Sequence, residues 1–117
     1  VVTANNEVIN RRIDENFGLG DTYAFTTLTV TANEITVTGK THTIDNTGGP
    51  ETVTTIAGGV KGQEIILDSN TGAVTFTHQA VPTTNQIHFF EGSSQSVTGY
   101  RVVRLVFNGT SWVGSKP

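Results

Sequence analysis

Cysteine and methionine are both absent from this 117-residue chain. Without cysteine there are no disulfides and no thiolate metal sites, so a small extracellular module would depend on its core or on partner subunits. Charge is also scarce. Asp, Glu, Lys and Arg make up 15% of the residues, against about 25% in an average domain. The net charge of -3 comes without the Lys/Arg clustering that nucleic-acid binding requires, so no nucleic-acid partner is expected. No apolar run is long enough to span a bilayer and no secretory signal pattern is present, so no membrane insertion is expected either. With no methionine and Val1 as its first residue, the sequence reads as a fragment or processed product of something longer.

What is present is threonine, valine and glycine. Thr and Val suit the pleated, half-exposed surface of a sheet, and 13 glycines with few charges argue against a helical bundle. The length fits one domain with a short appendage. The boundaries expected are residues 1–20 for a short helical stalk or coiled-coil end with a glycine hinge, and 21–117 for the β domain.

Residues 4–17 are the helical candidate. Val2, Asn6, Ile9, Ile13 and Asn16 follow an alternating four-three spacing with Glu7, Arg11, Arg12, Asp14 and Glu15 off the seam. One reading is an amphipathic helix docked on its own sheet. The other is the end of a coiled coil, in which seam asparagines set register and strand number. On that second reading Asn6, Ile9, Ile13 and Asn16 form a trimer seam. Gly18-Leu19-Gly20-Asp21 then breaks the helix.

From Thr22 onward, short runs of Thr, Val, Ile and aromatics alternate with turn signals such as Asn46-Thr47-Gly48-Gly49-Pro50 and Asp68-Ser69-Asn70-Thr71-Gly72. Ile65-Ile66-Leu67 reads as a buried strand, and Ile65–Asp68 with Ala73–His78 as a hairpin. Asn108-Gly109 is the strongest hairpin turn in the chain. This spacing favours a compact antiparallel β-sandwich of about eight short strands, preceded by the helix and assembled as a trimer.

Several pieces carry a resemblance: Ile35-Thr36-Val37-Thr38, Thr41-His42-Thr43-Ile44-Asp45, Thr55-Ile56-Ala57-Gly58-Gly59 and Gly62-Gln63-Glu64-Ile65-Ile66-Leu67. Val103-Arg104-Leu105-Val106-Phe107 and Asn108-Gly109-Thr110-Ser111-Trp112 complete the set. From about Ile35 onward the chain resembles a C-terminal β module of bacteriophage tail fibres and tailspikes. Related modules often carry an acidic residue where Asn108 stands, and both types tolerate the left-handed turn. The resemblance implies a structural β domain of a homotrimeric virion fibre, concerned with trimerisation or receptor contact.

Constellations for chemistry are sparse. His42, His78 and His88 lack metal-ligand spacing and read as strand surface histidines. The carboxylates are scattered beside turn glycines, whereas a glycosidase needs two facing each other across a cleft. Gly39-Lys40-Thr41 and Gly58-Gly59-Val60-Lys61-Gly62 lack the setting of a phosphate loop. No catalytic residues, cofactor or metal are therefore expected, and the chain is not read as an enzyme. Among the aromatics, Trp112 and Tyr100 could each stack a sugar ring, although core packing is the commoner role for Trp112. The polar loop between Glu91 and Gly99 has the character of a recognition loop. Tyr100, Trp112, Ser93, Ser94 and Gln95 are the receptor-contact candidates, with a host-surface polysaccharide as partner. The expected function is structural and adhesive, in a virion. The alternatives are a monomeric carbohydrate-binding module and a fragment of a polysaccharide depolymerase.

Overall fold

The computed structural model describes residues 25–117, and these contain eleven strands and no helix. The helical stalk and the seam Asn6, Ile9, Ile13 and Asn16 lie outside the described residues. In chain order the strands are β1 (Thr26–Thr29), β2 (Glu34–Thr36), β3 (Thr41–Asp45), β4 (Glu51–Val53), β5 (Thr55–Ala57) and β6 (Glu64–Asp68). They continue with β7 (Ala73–Phe76), β8 (Ile87–Phe89), β9 (Gln95–Thr98), β10 (Val102–Phe107) and β11 (Trp112–Gly114).

The pairing overturns the antiparallel sandwich. Strand β1 pairs with β3 and β3 with β6, both in parallel, as do β2 with β5, β4 with β7 and β8 with β11. The chain therefore winds as a solenoid, laying successive coils on one another at the interstrand spacing of about 4.8 Å. The end of the chain reverses direction: β9 runs antiparallel to β7, and β10 antiparallel to β6. Three sheets result, with orders β1-β3-β6-β10-β11-β8, β2-β5 and β4-β7-β9.

The alternating pattern of the sequence is honoured, which is why it could not reveal the topology. Strands β3 and β6 both alternate half-buried and buried positions, and β10 alternates exposed and buried ones. A period of two says which side chains face inward but not which strand lies alongside. Here the inward residues stack in columns between coils: Leu28 on Ile44, Ile35 on Ile56, Val53 on Phe76, and His42 on Leu67. Ile66, expected inside with Ile65 and Leu67, is only half-buried and faces outward.

The expected hairpin of β6 with β7 does not form. These strands belong to different sheets, and residues 69–72 turn a corner between them. That corner is tied to its neighbours by side chains. Asn46 Nδ2 donates to the Ser69 carbonyl, and Ser69 Oγ accepts from the Arg101 N–H at 3.1 Å. The hairpin at Asn108-Gly109 does form, pairing Val106 with Val113 and Phe107 with Trp112. Asn108 Oδ1 accepts from the N–H groups of Thr110 and Ser111 at 2.9 and 2.8 Å, and Gly109 takes a positive φ of 101°.

The core is a continuous cluster running from Leu28 to Trp112. Gly59 is required at its centre: a Cβ there would lie 2.6 Å from the Trp112 ring and 2.9 Å from that of Phe107. The glycine pair preceding β6 thus serves two needs. Gly58 supplies a positive φ of 91° beside the Val37 carbonyl, and Gly59 lets two aromatic rings pack against the backbone.

Candidate functional site

The predicted receptor-contact residues do not gather in one place. Trp112 is fully buried, and its indole Nε1–H donates to the Ile56 carbonyl at 2.9 Å. Its ring lies against Phe107 at a centroid distance of 4.8 Å and has no face left for a sugar. Tyr100 is 70% exposed with a φ of 60°, its N–H bonded to the Asn70 carbonyl. Ser93, Ser94 and Gln95 stand at the other end of β9, a separation of more than about 13 Å along an extended strand. Ser94 Oγ accepts from the His78 N–H at 2.9 Å, while Gln95 Nε2 donates to the Ser93 carbonyl at 3.0 Å.

Two of the three histidines, separated in sequence, meet in the fold. His78 and His88 have ring centroids 4.8 Å apart, and the Phe90 ring stands edge-on to His88 at 6.3 Å. Their tautomers follow from their backbone partners. His78 Nδ1 accepts from the Phe89 N–H at 3.0 Å, which places the ring proton on Nε2. His88 Nδ1 lies 2.9 Å from the Gln79 carbonyl, so it donates and leaves Nε2 as an acceptor. The pair also closes an edge of the largest sheet. β8 is its outermost strand, and His78 with Gln79 satisfies backbone groups that an edge strand would otherwise leave open. The third histidine, His42, is buried in the core, where Nε2 lies 3.2 Å from the N–H groups of Thr38 and Gly39.

Beside this cluster an open cleft of about 450 Å³ is lined by Val102, Arg104, Ser115, Lys116 and Pro117. The register explains its composition. Val106 pairs with Val113, which sets Arg104 opposite Ser115; Val113 pairs with His88, which sets Ser115 beside Phe90. Arg104, Ser115 and Phe90 thus form one outward row across β10 and the ends of β11 and β8. The next row holds Val106, Val113 and His88.

Sequence reasoning missed Phe90 and Arg104. The signal for Phe90 was available, since adjacent residues of a strand point to opposite sides and Phe89-Phe90 must place one ring outside. Phe89 is buried and Phe90 is 67% exposed. No such signal marks Arg104, which reaches the cleft only through the pairing of β10 with β11.

The described carboxylates are mostly engaged locally. Glu34 accepts from the Thr55 hydroxyl at 2.9 Å, Glu91 from the Lys116 N–H at 2.6 Å, and Glu64 faces Lys40 at 3.6 Å. Asp45 accepts from both the N–H and the hydroxyl of Thr47. The backbone bond is the larger influence, and together the two hold its carboxyl below the ordinary aspartate range. Among the described residues no group of three or more His, Cys, Asp or Glu is placed to hold a metal ion. Compared with known proteins, the chain matches no family model, no curated sequence and no solved structure.

Proposed function

We propose that the chain is a structural and adhesive module of a bacteriophage fibre or tailspike. It acts as a homotrimer in the virion, without a reaction of its own, and contacts a host-surface polysaccharide. The observation that carries this reading is the stack of parallel coils. Solenoids extend by adding like units, each stabilised by its neighbours, and so suit the building of stiff, elongated parts. The pieces that resemble fibre modules coincide with strands of the stack and of its antiparallel return: Ile35 on β2, Thr41–Asp45 as β3, Thr55–Ala57 as β5, Ile65–Leu67 in β6 and Val103–Phe107 in β10.

The trimer seam in this reading is Asn6, Ile9, Ile13 and Asn16. Among the described residues β1 has a strand on one side only, and in sequence it is the first strand after the segment bearing that seam. Replacing Ile9 and Ile13 together by Asp tests the assignment. The expected result is loss of the trimer in chemical cross-linking, with β-sheet circular dichroism retained. An undiminished trimer band removes the seam. The second reading, a carbohydrate-binding module working as a single chain, draws on the same cleft and differs in the mass of the particle in solution.

A further inference from the structure

We infer that the cleft beside β10, together with Phe90 and the His78–His88 pair, is a binding site for an acidic sugar residue of the hexuronate type. Phe90 leaves 67% of its surface in water. Its π-face carries partial negative charge and suits the C–H face of a pyranose ring. Beside it, His78 presents Nε2–H as a donor and His88 presents Nε2 as an acceptor, because the opposite nitrogens are committed to the Phe89 N–H and the Gln79 carbonyl. A sugar hydroxyl both donates and accepts, so two neighbouring hydroxyls satisfy this pair.

Arg104 supplies the preference for an acid. It is exposed and forms no salt bridge among the described residues, where the ion pair is Lys40 with Glu64. Opposite it on β6 stands Ile66, with Glu64 and Asp68 on the diagonals; Asp68 is approached by the Thr43 hydroxyl at 3.4 Å. The guanidinium therefore retains its donors, and its planar fork matches a carboxylate in two parallel bonds. The row Arg104, Ser115, Phe90 spans two strand spacings, about 10 Å, the reach of one or two sugar units. The exposed large apolar side chains here are Phe90 and, at 40% and 39% exposure, Val102 and Val106. A stable protein interface needs about 800 Å² per partner.

This inference rests on the adhesive role proposed above and names its ligand class and residues. The test is a nuclear magnetic resonance titration of the full chain with sodium glucuronate and, separately, with glucose, each to about 50 mM, which reads dissociation constants into the millimolar range. Glucuronate is expected to shift resonances of Phe90, His88 and Ser115. Phe90→Ala abolishes the response, and Arg104→Gln weakens it about tenfold or more, through loss of the two charge-assisted bonds to the carboxylate. Glucose binds about as weakly to the native chain as glucuronate does to Arg104→Gln. Both side chains lie on the surface, so the variants keep the native dispersion of core resonances. Equal responses to the two sugars, no response to either, or shifts centred on Tyr100 overturn the site. A change of particle mass in Phe90→Ala also overturns it, because Phe90 would then be covered by another copy. Sugar binding by a monomer refutes the fibre reading and leaves the site, whereas a trimer silent to both sugars refutes the site alone.

Discussion

The indole N–H of Trp112 donates to the backbone carbonyl of Ile56 at 2.9 Å, linking residues 56 positions apart inside the core. Ile56 lies on β5 in the coil stack, and Trp112 opens β11 in the segment that folds back over it. This bond joins the part of the chain that winds in parallel to the part that returns.

Trp112→Phe should therefore cost about 1–3 kcal/mol, because it orphans the buried Ile56 carbonyl. Trp112→Ala should cost about 3–5 kcal/mol through the cavity it leaves. Urea unfolding followed by circular dichroism measures both. Equal stability of the Phe variant and the native chain would show that the hydrogen bond contributes nothing.

Gly59→Ala is expected to destabilise by about 1–3 kcal/mol through overpacking against Trp112 and Phe107. Gly114→Ala should be at least as harmful, since its Cβ would meet the Arg104 carbonyl at 2.5 Å and a Leu105 methyl at 2.8 Å. Gly48→Ala, where nothing lies within 4 Å, is the control and should change the urea midpoint little.

Asn46→Ala removes the side-chain bond between one corner and the next, from Asn46 to the Ser69 carbonyl. Asn46 is almost completely buried, and the loss should be about 1–3 kcal/mol. Amide exchange is the sharper probe: protection should fall first at Ser69, which donates to the Arg101 carbonyl, and at Arg101, which donates to Ser69 Oγ.

Acid should act on the neighbouring turn. The Asp45 carboxyl is held below its ordinary range by Thr47, so its contribution is present at neutral pH, above the unfolded-state value. It is lost as pH falls through the lowered folded value. In Asp45→Asn the Thr47 amide should exchange faster at pH 7, and the difference from the native chain should shrink in strong acid. A difference independent of pH would contradict the assignment.

These predictions also show what could be read from residues alone. The all-β class and the Asn108-Gly109 hairpin were legible, since each depends on composition or on turn chemistry. The inward residues were legible only in part: His42, read as a surface histidine, is buried, and Ile66, read as core, faces outward. The parallel stacking was not legible. His42 lies beside Leu67 and Val53 beside Phe76 through contacts between coils more than 20 residues apart, and an alternating strand carries no label for its neighbour. The Asp68–Gly72 segment looked like a hairpin turn for the same reason, because a corner and a turn draw on the same residues. The candidate site was legible only in part. Phe90 could have been placed outward from Phe89-Phe90, but its place beside His88 and in one row with Arg104 depends on the register of β8, β10 and β11. For Trp112 core packing is the commoner role read from the sequence, and its full burial agrees, which removes it from the receptor-contact candidates.

Light scattering of the full chain across a dilution series tests the central proposal, a trimeric fibre module, most directly. The account predicts a particle of three times the 12.5 kDa chain mass that persists into the lowest concentrations measured. A particle of one chain mass throughout the series would contradict it.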